Sequence, residues 1–173
     1  ISICNEHNLP IVSLADTPGF MVGVDSEKEG AVRKMGSLFN AGANISVPLV
    51  AIFLRKGYGL GAMAMVGGSF YVPIFTASWP TGEFGGMGLE GAVKLGYRKE
   101  LEAIKDPKKR IEAYEKMVAD SYHRGRAVNM ASHFELDDVI DPAETRNWIM
   151  GALKSLPPKK DRTSKKRPNV DTW

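Results

Sequence analysis

The chain has 173 residues, of which 43% are hydrophobic, 25% charged and 9% aromatic. Those proportions belong to a folded domain and exclude a disordered chain, a collagen-like repeat or a disulfide-rich scaffold. No run of about 18 uncharged apolar residues occurs, which excludes a membrane-spanning helix, and the single cysteine, Cys4, suits a reducing, cytoplasmic compartment. One domain is the default at this length, burying roughly 70% of its unfolded surface. The formal charge of +3 is carried by the end of the chain. Lys159, Lys160, Arg162, Lys165, Lys166 and Arg167 stand there against Asp161, so the rest is net acidic. Residues 159–173 therefore read as a solvated basic tail, and the basic balance makes no case for nucleic acid.

The opening Ile1-Ser2-Ile3-Cys4-Asn5-Glu6-His7-Asn8-Leu9-Pro10 has no initiator Met, charged leader or cleavage site. It reads as the last turns of a helix, with Ile1, Cys4 and Leu9 inward and Asn8 and Pro10 as the stop. A fragment of a longer chain is expected. Ile11–Ala15 is an apolar run expected as a buried parallel strand, ended by Asp16-Thr17-Pro18-Gly19-Phe20. Ser26-Glu27-Lys28-Glu29 has capping-box spacing, and Ala31, Val32, Met35, Leu38, Phe39 and Ala43 place a helix up to about Ala43. Val47–Leu54 is a second buried strand.

A glycine loop, Gly57–Gly61, then leads into a small-residue helix that Gly67-Gly68 ends. Ile74–Ser78 is a third short strand, and a helix follows over Gly88–Tyr97. Asp106-Pro107 caps another helix, whose face is Ile111, Tyr114, Met117, Val118 and Tyr122. Asp137–Asp141 is a short edge strand. Pro142 opens a last helix up to Leu156 with Trp148, Ile149 and Leu153 inward. Strands alternating with helices predict an α/β fold with parallel strands.

Side-chain chemistry is sparse. There is no Gly-x-Ser-x-Gly elbow, Cys4 lacks a neighbour that would activate it, and His7, His123 and His133 form no metal-like cluster. Asp137 and Asp138 are adjacent on a strand and point to opposite faces. The informative feature is backbone: Asp16–Gly23 and Gly57–Gly61 each follow a buried strand and lead toward a helix. Glycine lets the main chain come close to a ligand, and the N–H groups that open a helix suit an oxyanion hole. Simple tight turns remain the alternative, and ligands gather at the carboxyl ends of parallel strands. Gly59-Leu60-Gly61-Ala62-Met63-Ala64 also fits the dinucleotide fingerprint formally, but Arg55–Tyr58 stands between the expected strand and the glycines, and Glu83 lies in a Pro/Gly segment.

Four segments carry a resemblance. Asp16-Thr17-Pro18-Gly19-Phe20, Arg55-Lys56-Gly57-Tyr58-Gly59, Trp79-Pro80-Thr81-Gly82-Glu83 with Gly86–Ala92, and Asp137–Pro142 with Thr145-Arg146 occur in the order found in biotin-dependent acyl-CoA carboxylase carboxyltransferases. The chain resembles their C-terminal domain over residues 1–158. The resemblance implies a crotonase/ClpP-like spiral of ββα units, one of two such domains in the full chain. It implies transfer of CO₂ from carboxybiotin on a carrier protein to the α-carbon of a small acyl-CoA, acetyl- or propionyl-CoA by default. The partners it implies are the chain's own N-terminal carboxyltransferase domain, biotin carboxylase, the biotin carrier and further copies, a hexamer in the usual assembly.

By the same resemblance, the ureido oxygen of biotin meets backbone N–H groups near Gly59, Leu60, Gly61 and Ala62. The donor pair is Leu60-Gly61 or Gly61-Ala62, because Leu60 intrudes where the family often has Tyr-Gly-Gly-Ala. Pro18, Gly19, Phe20, Tyr58 and Gly59 are the expected biotin-side residues, and Met63 lines the acyl pocket or packs the core. Asn129–Phe134 departs from the glycine-centred segment expected there, which leaves the acyl group open. The alternatives are a biotin-dependent acyl-CoA decarboxylase, a hydratase or isomerase of the same fold, and a non-catalytic module whose glycines serve packing.

Overall fold

The computed structural model describes residues 1–158, and the basic tail from Lys159 lies outside the described residues. Its centre is dictated by the one stretch without polar alternation, because such a strand needs cover on both faces. That stretch forms β2 (Leu49–Tyr58), where Val50, Ala51, Ile52 and Phe53 are wholly buried. β1 (Ile11–Thr17) pairs along one side of β2 and β3 (Phe75–Ser78) along the other, with β5 (Asp138–Val139) beyond β3. β4 (Glu83–Gly85) pairs with the last residues of β2, and every one of these pairings is parallel.

Helices connect and cover the strands. They are α1 (Ser2–His7), α2 (Val24–Lys28), α3 (Ala31–Ala43), α4 (Gly59–Met65), α5 (Leu89–Gly96), α6 (Arg98–Ala103), α7 (Pro107–Arg124), α8 (Ala127–Ser132) and α9 (Thr145–Lys154), the last preceded by a 3₁₀ turn at Pro142–Glu144. One core lies under α4 and α8 and is built from Phe53, Ala62, Val66, Phe84 and Leu136. Phe53 meets Phe70 and Phe84 edge-on there, with centroids 5.3 and 5.0 Å away. The opposite face packs Val50, Ile52, Ala77 and Ile140 against Ile149 and Leu153 of α9. Asp106 caps α7 as expected, its carboxylate accepting the Lys108 N–H at 2.9 Å.

Several expectations need correction. β1 is an edge strand: Ser13 and Ala15 are buried, but Val12 and Leu14 are 42% and 53% exposed. A groove separates those two side chains from Ile149 and Met150 of α9, so one face of β1 is left open. The Ser26 capping box does not form. α2 starts earlier, at Val24, with Gly23 as its N-cap, and Gly30 in left-handed backbone (φ 74°) separates α2 from α3. Leu9 is half exposed because α1 stops at His7, where Asn8 turns left-handed. Ile111 of α7 faces outward at 57% exposure, as does Val32 of α3 at 67%. Trp148 is 42% exposed and stacks on Phe75 with ring centroids 5.3 Å apart.

The largest difference concerns the second glycine segment. β2 does not end at Leu54 but runs on to Tyr58, because β4 gives its last residues a partner: Lys56 pairs with Glu83, Gly57 with Phe84 and Tyr58 with Gly85. The expected loop is thus a direct strand-to-helix turn at Tyr58-Gly59. No loop therefore separates the strand from the glycines of the dinucleotide fingerprint, but Glu83 opens the three-residue β4 rather than ending a strand, and its carboxylate accepts the Tyr58 hydroxyl.

Candidate active site at the start of helix α4

β2 delivers the chain to the carboxyl edge of the sheet, and Gly59 turns it into α4. Gly59 has φ 56°, and its absent Cβ would lie 2.6 Å from the Gly86 carbonyl oxygen, so only glycine fits. No side chain caps α4. The first N–H groups of a helix have no intrahelical acceptor, and Gly59, Leu60 and Gly61 carry such donors here. Leu60 is 61% exposed, while Gly61 and Ala62 are buried.

Gly61 is buried by the other glycine segment. A Cβ on Gly61 would sit 2.8 Å from Gly19 Cα and 3.1 Å from Thr17 Oγ1. The Gly19 N–H donates to Thr17 Oγ1 at 3.2 Å, which closes the turn after β1. Pro18 stands exposed on this turn, and Phe20 packs edge-on against Phe39 of α3, centroids 6.2 Å apart. Leu60 and Met63, three apart and so on one helix face, look the other way. They line a cavity of about 660 Å³ with Gly59, Phe84, Gly86 and Met130, and with Arg124 and Glu135 among its few polar groups. Pro18, Gly19 and Phe20 are not on its walls. The structure thus brings Gly59, Leu60 and Met63 to one cavity and puts the Gly19 turn behind Gly61.

The electrostatics hold this turn in place. Tyr58, 3% exposed, donates its hydroxyl to Glu83 Oε2 at 3.1 Å, and burial together with that carboxylate pushes its pKa well above the ordinary tyrosine value. Tyr122 of α7 donates to Glu90 Oε1 of α5 at 2.7 Å. That bond lowers the Glu90 pKa and raises that of Tyr122. Asp16 accepts the Lys56 N–H at 3.0 Å and pairs with the Arg55 guanidinium at 3.2 Å. The Lys56 N–H above all holds the Asp16 carboxyl below its usual range; burial opposes it next in size, and the Arg55 guanidinium adds to the lowering.

Sequence reasoning missed Phe84, Met130 and Arg124 as cavity walls, and the bond from Tyr58 to Glu83. All depend on the pairing of β4 with β2 and on how α7 and α8 return, which no local pattern encodes. The repeated Gly85-Gly86 beside Glu83 was the available signal for a close backbone approach.

Comparison with known proteins decides the family. The model of the carboxyl transferase domain matches residues 1–170. The chain belongs to the carboxyl transferase family. It is 37% identical to the propionyl-CoA carboxylase carboxyltransferase subunit of Haloferax mediterranei, over 98% of this chain and 33% of that one. A methylmalonyl-CoA decarboxylase subunit alpha, from Propionigenium modestum, matches at 33% identity over 98% of this chain and 32% of that one. Among solved structures, a single-chain, multi-domain long-chain acyl-CoA carboxylase is 56% identical at a TM-score of 0.76, over 87% of this chain and 15% of that one. The transcarboxylase 12S hexamer with methylmalonyl-CoA bound reaches a TM-score of 0.84 at 31% identity, over 98% of this chain and 32% of that one.

The fold of this carboxyl transferase domain is therefore crotonase-like. The chain spans about a third of the length of the curated relatives it matches. The four segments that carry the resemblance touch in series: Asp16 with Arg55, Tyr58 with Glu83, and Trp79 with Thr145, whose Oγ1 accepts the indole N–H at 2.9 Å. Among the described residues no group of three or more His, Cys, Asp or Glu is placed to hold a metal ion, and no helix is long and apolar enough to cross a membrane.

Proposed function

We propose that this domain is the biotin-side half of an acyl-CoA carboxyltransferase, moving CO₂ from carboxybiotin to the α-carbon of an acyl-CoA. The observation that carries this reading is the convergence of three of the four motif segments, through Gly19, Tyr58-Gly59 and Glu83–Gly86, on the uncapped start of α4, beside an apolar cavity. When bound, carboxybiotin supplies the CO₂ and afterwards a ureido nitrogen able to accept the α-proton. What the protein must add is stabilisation of oxygen charge that grows in the transition state, and fixed backbone donors do this without reorganising. Leu60 and Gly61 are the donor pair we favour, since Leu60 opens onto the cavity while Ala62 is wholly buried. Met63 and Leu60 give the ring an apolar wall, and Gly19 backs Gly61 so that its N–H keeps one direction.

The acyl-CoA half of the site is assigned to the protein's own N-terminal domain, contributed by a second copy in a dimer-based hexamer. Biotin carboxylase and the biotin carrier are the expected partners, and the cytoplasm is the expected compartment. Acetyl- and propionyl-CoA are the first substrates to test. Long-chain acyl-CoA joins them because the long-chain acyl-CoA carboxylase is the more identical relative.

The test is carboxyl transfer by the full-length protein, with carboxybiotin as donor and acetyl-, propionyl- and long-chain acyl-CoA as acceptors. Transfer to one of them is expected. No transfer to any, with malonyl- or methylmalonyl-CoA decarboxylated instead, would assign the reverse reaction. Hydration or isomerisation of enoyl-CoA without biotin would overturn the reading.

A further inference from the structure

The bond between Tyr58 and Glu83 lies outside the donor set, and nothing in the proposed chemistry consumes it. Tyr58 is at once the last residue of β2 and the N-cap of α4, in extended backbone with φ −104° and ψ 130°. The next residue, Gly59, is already left-handed, so the whole change of direction falls on one peptide. The Tyr58 ring is buried, and its hydroxyl reaches Glu83 Oε2 across the β2–β4 pairing, two rungs from the Tyr58–Gly85 pair. On the far side of the turn the Gly86 carbonyl fills the place of a Gly59 side chain. The same short segment, Glu83–Gly86, therefore grips the turn by the Tyr58 side chain and by the Gly59 backbone.

We infer that Glu83 is a positioning residue: by holding Tyr58 it sets the direction of the Leu60 and Gly61 N–H groups at the start of α4. This rests on the reading of α4 as the donor site. Glu83 does not need to touch substrate for this role. A buried tyrosine hydroxyl beside a carboxylate stays protonated and remains a donor, and the raised pKa of Tyr58 agrees with that. Donor direction matters to rate because a misplacement of about 1 Å costs on the order of a hundredfold.

The experiment uses the full-length protein with its carboxylated carrier and compares Tyr58→Phe, Glu83→Gln and the double variant. Tyr58→Phe keeps the packing and removes the donor; Glu83→Gln keeps an acceptor oxygen and removes the charge. Tyr58→Phe is expected to lower kcat about tenfold to a hundredfold, with KM for the carrier within about twofold. Glu83→Gln is expected to retain most of the rate, and the double variant to be no worse than Tyr58→Phe. Amide hydrogen exchange at Ala62–Met65, the amides of α4 that have intrahelical acceptors, is measured on the same proteins and is expected to speed up in Tyr58→Phe while β1 to β3 keep their protection. A raised KM at unchanged kcat would make Tyr58 a biotin contact and overturn the inference. Loss of activity in Glu83→Gln with a shifted limb of the pH profile would overturn it in favour of proton transfer. If the wild type transfers no carboxyl group, the donor-site reading fails, and the exchange arm still decides whether the Tyr58–Glu83 bond orders the turn.

Discussion

Gly61 and Gly19 lie so close that a Cβ on the first would fall 2.8 Å from the Cα of the second. They are 42 positions apart in the chain, on the turns that follow neighbouring parallel strands. Backbone thus packs against backbone where both turns leave the sheet, and no side chain intervenes to loosen the geometry. Such contact suits a site whose working groups are main-chain donors.

Gly61→Ala is expected to be costly for that reason. The added methyl meets main chain rather than a side chain that can swing away, and overpacking of this kind typically costs about 1–3 kcal/mol. Denaturant unfolding of the full-length protein should show a lowered midpoint. Transfer activity measured well below that midpoint should fall further than the remaining folded fraction explains. Wild-type activity in a folded Gly61→Ala protein would favour the packing-only alternative.

Asp16 ties the end of β1 to β2 just before the Gly19 turn. Its carboxyl is held below the usual value in the folded state, so its contribution is fully present above the unfolded pKa, about 3.9. It is lost as pH falls through the lower folded value. Asp16→Asn keeps an acceptor for the Lys56 N–H and removes the charge. The pair is substantially exposed, so the loss at pH 7 should be only about 0.5–1 kcal/mol after solvent screening. Urea midpoints from pH 7 to pH 3 are the measurement. The gap between wild type and Asp16→Asn should close below about pH 4, and a gap that widened there would refute the account.

How much of this was legible in the sequence depended on the range of the interaction. β2, α3 and the Asp106 cap of α7 rest on patterns within a dozen residues and were readable. The resemblance pointed to the Tyr58-Gly59 turn that we propose as the donor site, because four motifs in order are more specific than any one. The end of β2 was not readable: Arg55-Lys56-Gly57-Tyr58 looks like loop, and pairing with β4, 27 positions on, together with the Thr17–Gly57 pair to β1, makes it strand. Likewise Val12 and Leu14 look like core from composition. Whether a strand lies at the sheet edge is a property of the neighbours it has.

Leu14→Lys tests that last point directly. Were β1 buried on both faces, a lysine there would leave an unpaired charge in the core and cost several kcal/mol. With Leu14 53% exposed, this 173-residue chain should lose no more than about 1 kcal/mol in urea unfolding. A loss of several kcal/mol would mean that the open face of β1 is covered in solution.

The final expectation concerns the chain by itself. It holds the proposed ureido-oxygen donors, yet spans a third of its curated relatives, and the acyl-CoA half of the site is assigned to another domain. Stabilisation of one oxygen without the other leaves the enolate side of the reaction uncatalysed. Removal of a single oxyanion donor already costs on the order of a hundredfold to a thousandfold in kcat. The 173-residue chain, given carboxybiotin and acyl-CoA, should therefore show no transfer above the uncatalysed rate, while the full-length protein does under the same conditions. The measurement is label transfer from ¹⁴C-carboxybiotin to acyl-CoA. Robust turnover by the chain alone would place both oxyanion sites within these residues and remove the need for a second domain.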